Sequence, residues 1–112
     1  MLLAEKYAEA LEAKFNNPES KNQKQFPNLF TYTFFVEKGQ KFDRIVSSSV
    51  SSVGGHTSVH AFVERSTGAL IKPATYKAPA KLKSGWATKF NLLTEFDKTV
   101  EVADVYGGYL YQ

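Results

Sequence analysis

The sequence predicts an α+β domain in which an N-terminal helix packs on an antiparallel sheet of four to five strands built from two hairpins. Three observations carry this. Apolar residues recur every four positions over the first fifteen residues, and they alternate with period two between residues 28 and 75. Glycine-containing turns divide that second stretch into paired runs. With 112 residues, 43% of them hydrophobic and 14% aromatic, the chain can bury one core, so residues 1–112 are expected to form a single domain.

The helix comes first, over 1–15. Leu3, Tyr7, Leu11 and Phe15 form its stripe, with Ala10 and Lys14 beside it and Glu5, Glu9 and Glu12 off it. Asn16-Asn17-Pro18 ends it, because proline cannot continue a helix and disfavours helical geometry in the residue before it. Residues 19–25 are polar and aperiodic, which suits a surface connector.

Two hairpins follow over 26–75. Phe30, Tyr32, Phe34 and Val36 alternate with Leu29, Thr31, Thr33 and Phe35; Glu37 to Lys41 turns the chain, and Phe42 to Val50 returns. The five serines of 47–52 read as a strand end, and Val53-Gly54-Gly55 as a mobile turn. The second hairpin runs out from His56 to Glu64, turns at Arg65-Ser66-Thr67-Gly68 and returns from Ala69 to Thr75. Strict alternation puts Thr57, Val59, Ala61 and Val63 on one face, with His56, Ser58, His60, Phe62 and Glu64 on the other. Pro73 either makes the returning strand an edge or marks where its pairing stops.

Residues 76–90 read as a basic, extended and exposed segment leaving the sheet edge. In 91–112, Leu92, Phe96, Val100 and Ala103 fit a helical stripe, although 99–105 also alternates like a strand; the short helix is the preferred reading. Gly107-Gly108 breaks it, and Tyr109-Leu110-Tyr111 is expected to close as a final strand.

The net charge of +3 is unevenly distributed: 65–94 holds six Lys or Arg and no acid, and 95–112 sums to −3. Within the basic segment Lys72, Lys77, Lys81, Lys83 and Lys89 are interleaved with Tyr76, Trp86 and Phe90. Cations beside exposed rings are what a single-stranded nucleic acid requires, charge for the backbone and stacking for the bases. Lysine near a sheet edge also discourages edge-to-edge aggregation, and a lone tryptophan is commonly a core anchor. The candidate binding residues are therefore Lys72, Tyr76, Lys77, Lys81, Lys83 and Trp86, for a partner or a nucleic acid.

Other chemistry finds little support. His56 and His60 would be roughly 13 Å apart on a strand at about 3.3 Å per residue, too far to share an ion. Glu95, Asp97, Glu101 and Asp104 match no calcium loop, and neither Gly-Gly pair belongs to a phosphate-binding motif. No cofactor, metal site or catalytic residue is predicted, and an enzymatic role is not expected. The absence of cysteine excludes a thiolate nucleophile and fits a cytoplasmic protein. No run approaches the roughly 18 apolar residues of a membrane span, and no secretory signal is evident.

The stretch 61–81 resembles small uncharacterised proteins of tailed bacteriophages. Thr67, Gly68, Lys72, Pro73, Ala74, Lys77, Ala78, Pro79, Ala80 and Lys81 carry the likeness, and Tyr76 stands where those proteins tend to have Trp. The resemblance implies a viral or prophage origin and assigns no functional residue. Helix plus meander is also the outline of cystatin-like folds, a likeness of architecture that carries no function. The expected role is a non-enzymatic interaction module that binds a protein partner or its own copy, with single-stranded nucleic-acid binding through 72–90 as the alternative.

Overall fold

The computed structural model describes residues 2–17, 31–51, 54–82, 85–86, 88–104 and 107–111. Their elements are α1 (Leu3–Asn16), β1 (Thr31–Glu37), β2 (Phe42–Ser51), β3 (Gly54–Glu64), β4 (Ala69–Ile71), β5 (Lys81–Leu82), β6 (Gly85–Trp86), β7 (Thr88–Asn91), α2 (Phe96–Val102) and a 3-10 turn (Gly108–Leu110). The main sheet has the order β1-β2-β3-β4-β7, with every pairing antiparallel, and β5 and β6 pair separately. The predicted α+β class holds.

The stripe of α1 is its buried face. Tyr7, Leu11 and Phe15 are buried with Ala4 and Ala8, and Leu3 packs at the rim. They meet the inner face of the sheet, where the Phe15 ring contacts Phe34 at 5.6 Å and Tyr32 at 6.3 Å between centroids. The helix ends with its side chains bonded to neighbours. Asn16 pairs with the backbone of Tyr32, donating from Nδ2 to the carbonyl at 2.7 Å and accepting the Tyr32 N–H at Oδ1 at 2.9 Å. Lys14 donates from Nζ to the carbonyls of Val100, Glu101 and Ala103 at 2.7, 2.8 and 2.7 Å. It thus supplies a cation to the C-terminal end of α2, where unpaired carbonyls and the helix dipole favour one.

Glycine is required at the second hairpin's turn. Gly68 has φ of 77°, and a Cβ there would stand 2.7 Å from Leu93 Cγ. Pairing on β4 stops at Ile71, and Pro73 makes only an isolated bridge with Pro79. Of the two sequence alternatives for Pro73, the second is the one observed: β4 is not an edge, because β7 pairs with it.

Gly54 and Gly55 are not a mobile turn, since they open β3 opposite Ser51 and Val50, and two further expectations are corrected. Residues 76–90 do not leave the sheet as an extended arm. The Ala74 and Thr75 N–H groups donate to Ala78 O, Ala80 N donates to Lys72 O, and Thr75 Oγ1 accepts from the N–H groups of Lys77 and Ala78. The threonine hydroxyl competes for local backbone donors and closes a loop. Residues 88–91 then return as the fifth strand, where Thr88 Oγ1 donates to Leu70 O. The second correction is at the C-terminus, where Tyr109-Leu110-Tyr111 is not a strand. Gly107, at φ of 78°, starts a 3-10 turn that lays Tyr109 and Leu110 into the core.

Strict alternation also fails within β3. Ile45 pairs with Ala61 and Val46 with Val59, so His60 is an extra residue opposite the β2 ladder. A bulge of this kind shifts the side-chain phase by one position. His60 and Ala61 both enter the helix-covered interior, and upstream of them the face assignment is reversed. Ser58 shares the inner face with Ser47, whose Oγ lies 3.2 Å from its own, and Val59 lies outside with Val46. On that outer face Val46, Phe62 and Ile71 are buried as well, so the sheet is covered on both sides at its centre.

Candidate functional site

Among the described residues, and apart from the pairing of buried Asp43 with Arg65, one closed place and one open place gather chemistry. The closed one is the string set up by the β3 bulge. His60 Nε2 lies 2.7 Å from the Tyr109 hydroxyl, which lies 2.7 Å from the Tyr7 hydroxyl. The three residues are 4%, 4% and 0% exposed, which leaves no approach for a substrate. His60 also packs edge-on against Phe34 at 5.4 Å, and Gly107 sits over its ring, where a Cβ would be 3.8 Å from Nδ1. Burial raises the pKa of both phenols well above the ordinary value; the hydrogen bond to Tyr109 partly opposes this for Tyr7.

Burial also lowers the pKa of His60 to about 4, against a smaller opposing effect of Asp104. The consequence for stability has a definite sign. Above the ordinary value of 6.5 the imidazole is neutral whether folded or unfolded. Between 6.5 and about 4 only the unfolded chain takes the proton, so stability falls as pH falls through that window and then levels off. At about 1.4 kcal/mol per pKa unit the loss is on the order of 3 kcal/mol. Urea unfolding from pH 7.5 to 4 should show it, and the His60→Phe protein should lack that part of the slope.

The open site is a cleft of about 310 Å³ on the outer face of the sheet, at the turn end of the first hairpin. Residues 37–42 form one wall, Arg44 and Phe62 the floor, and Lys77 and Pro79 the other wall. Lys38, Lys41, Arg44 and Lys77 bring four cations to it, and Glu37 the one carboxylate. That carboxylate is engaged: Glu37 Oε1 accepts from Arg44 Nη1 at 3.2 Å and from the Tyr76 hydroxyl at 2.9 Å. Arg44 is held between two rings, 5.5 Å from the Phe62 centroid and 4.8 Å from that of Tyr76, a cation–π arrangement that fixes the guanidinium. Its Nε is buried without a hydrogen-bond partner. Among the described residues no carboxylate pairs with Lys38 or Lys77.

The sequence-predicted binding residues are dispersed. Lys77 lines the cleft, and Tyr76 closes over Arg44 beside it. Lys72 is turned away, its Nζ 5.0 Å from the Tyr111 ring. Lys81 is exposed on β5, opposite Trp86 on β6. Lys83 and the side chains of Trp86 and His56 lie outside the described residues. Phe90 is no stacking platform, since it packs on Tyr109 at 5.8 Å as part of the core rim. Sequence reading missed Lys38, Lys41, Arg44 and Phe62, which lie 15 to 39 residues before Lys77. Their only sequence signal was cross-strand parity, Arg44 opposite both Glu37 and Phe62.

Among the described residues no three His, Asp or Glu side chains are grouped to hold a metal ion. None of the helices among them is long and apolar enough to cross a membrane. No curated protein and no solved structure matches the chain. A family model does match, over residues 2–112, and so covers the helix, the sheet and the cleft together. The chain belongs to that family, DUF7717, a family of unknown function.

Proposed function

We propose that the chain is a non-enzymatic binding module, cytoplasmic and of viral or prophage origin, that takes an anionic segment of a protein partner into the outer-face cleft. The observation that carries this reading is the charge balance of the cleft: four cations stand around an aromatic floor, and Arg44 and Tyr76 already engage the one carboxylate. Complementary charge of this kind sets recognition and association rate. The basic segment supports single-stranded nucleic acid less well, because two of its rings, Tyr76 and Phe90, serve within the fold. Arg44 occupies a face of Tyr76, and Phe90 packs on Tyr109.

Fluorescence anisotropy with labelled hexaglutamate and with a labelled oligothymidylate, at low and at high salt, tests the reading. The acidic peptide should bind and weaken as salt rises. Lys77→Glu should cost about fivefold, the effect of a charge at a solvated rim. Tighter oligonucleotide binding that Arg44→Met leaves unchanged would replace this reading with the nucleic-acid one.

A further inference from the structure

The cleft adjoins a sheet edge that is only partly capped. β1 is an outer strand of the main sheet. The Asn16 amide bonds both the N–H and the C=O of Tyr32, so these groups point away from β2 and toward the open edge. The β1–β2 register runs without a shift from Thr31 to Glu37. By the two-residue period of a strand, the N–H and C=O of Phe34 and Val36 point the same way. Among the described residues nothing bonds them. Asn16 thus occupies the first rung of an added strand and leaves the next two.

The open rungs lead directly into the cleft. Glu37, the last residue of β1, begins the turn whose Lys38 and Lys41 line it, with Arg44 and Lys77 beyond. An unpaired edge offers main-chain hydrogen bonds to an extended peptide, and neighbouring side-chain sites supply specificity. Resting on the cleft reading above, we infer that the partner segment binds as an added β-strand. It would pair with Phe34 and Val36 and deliver an acidic side chain to the four cations. The occupant is an extended, acidic peptide segment of another protein; the Asn16 clip sets its limit at one end and the charged turn at the other.

A yeast-displayed library of random octapeptides, sorted against the wild-type protein, tests this without presupposing a sequence. Enriched peptides should carry Asp or Glu. The strongest, made synthetically, should bind at least about tenfold more weakly to Val36→Pro, which removes one outward N–H and leaves the β1–β2 ladder intact. Circular dichroism checks that this variant is folded. N-methylation of alternate peptide amides gives the same loss independently of any protein variant. Acidic peptides that lose affinity with Arg44→Met but ignore both Val36→Pro and N-methylation would overturn strand addition and leave the cleft reading standing. No enrichment, or enrichment of peptides without acids, would overturn both.

Discussion

Tyr109→Phe should destabilise the protein by about 3 kcal/mol, although it removes a single oxygen atom. That oxygen is the shared partner of Tyr7 and His60, at 2.7 Å from each. Without it two buried polar groups lose their bond, and each such loss costs roughly 1–3 kcal/mol. The aromatic packing survives, since the ring still stands against His60 and Phe90 at 5.5 and 5.8 Å. Urea unfolding at neutral pH would read the change as a shift in midpoint with little change in slope. The double variant Tyr7→Phe/Tyr109→Phe should recover part of the loss, because the orphaned phenol is then removed as well. A loss below about 0.5 kcal/mol would mean that the three side chains do not form a bonded string.

Arg65→Met is expected to cost about 2–3 kcal/mol by a different route, the stranding of a buried charge. Asp43 is 2% exposed on the inner face, near the start of α1, and shares a small cleft with Leu2 to Ala4 and Val63. Arg65 Nε reaches both of its carboxylate oxygens at 3.0 Å, and Nη2 reaches Oδ1 at 2.8 Å. Removing the guanidinium leaves the carboxylate one long bond, from Gly39 N at 3.3 Å. The arginine side chain is 37% exposed, and the resulting solvent screening sets the expected loss below the 3–5 kcal/mol typical of a fully buried pair. In a thermal melt this is a fall of about 10 °C at roughly 4 °C per kcal/mol for a chain of this size. Adding Asp43→Asn to Arg65→Met should restore most of it; if the double variant is no better than the single, the cost is packing and not charge.

Much of the architecture was present in local pattern. The four-residue spacing of Leu3, Tyr7, Leu11 and Phe15 marked the buried face of α1, and the stripe from Phe96 to Ala103 marked α2. Both follow from periodicity, which reports the burial of one face wherever an element is long enough to repeat. β7 escaped because its four residues, Thr88 to Asn91, carry no such repeat and fall at the end of the basic segment 65–94. The terminal Tyr109-Leu110-Tyr111 misled for a related reason: three apolar residues fit a strand as well as a turn, and Gly107 chose between them.

The candidate site was half visible. Tyr76 and Lys77 stood out as part of a basic aromatic segment, but their partners are Glu37, Arg44 and Phe62, brought beside them by two strand pairings and a closed loop. Composition located positive charge without saying which cations already had partners: Arg65 serves Asp43, and Lys14 serves the end of α2.

What the sequence alone determined is the helical stripes and the first hairpin. Each depends on the conformational preferences of a few neighbouring residues. Only the tertiary structure decided that His60 turns inward, that Asn16 caps the edge of β1 and that four cations converge on one cleft. Those outcomes depend on register, because a single extra residue opposite a ladder reverses the face of every side chain upstream, and no local preference encodes which residue that will be.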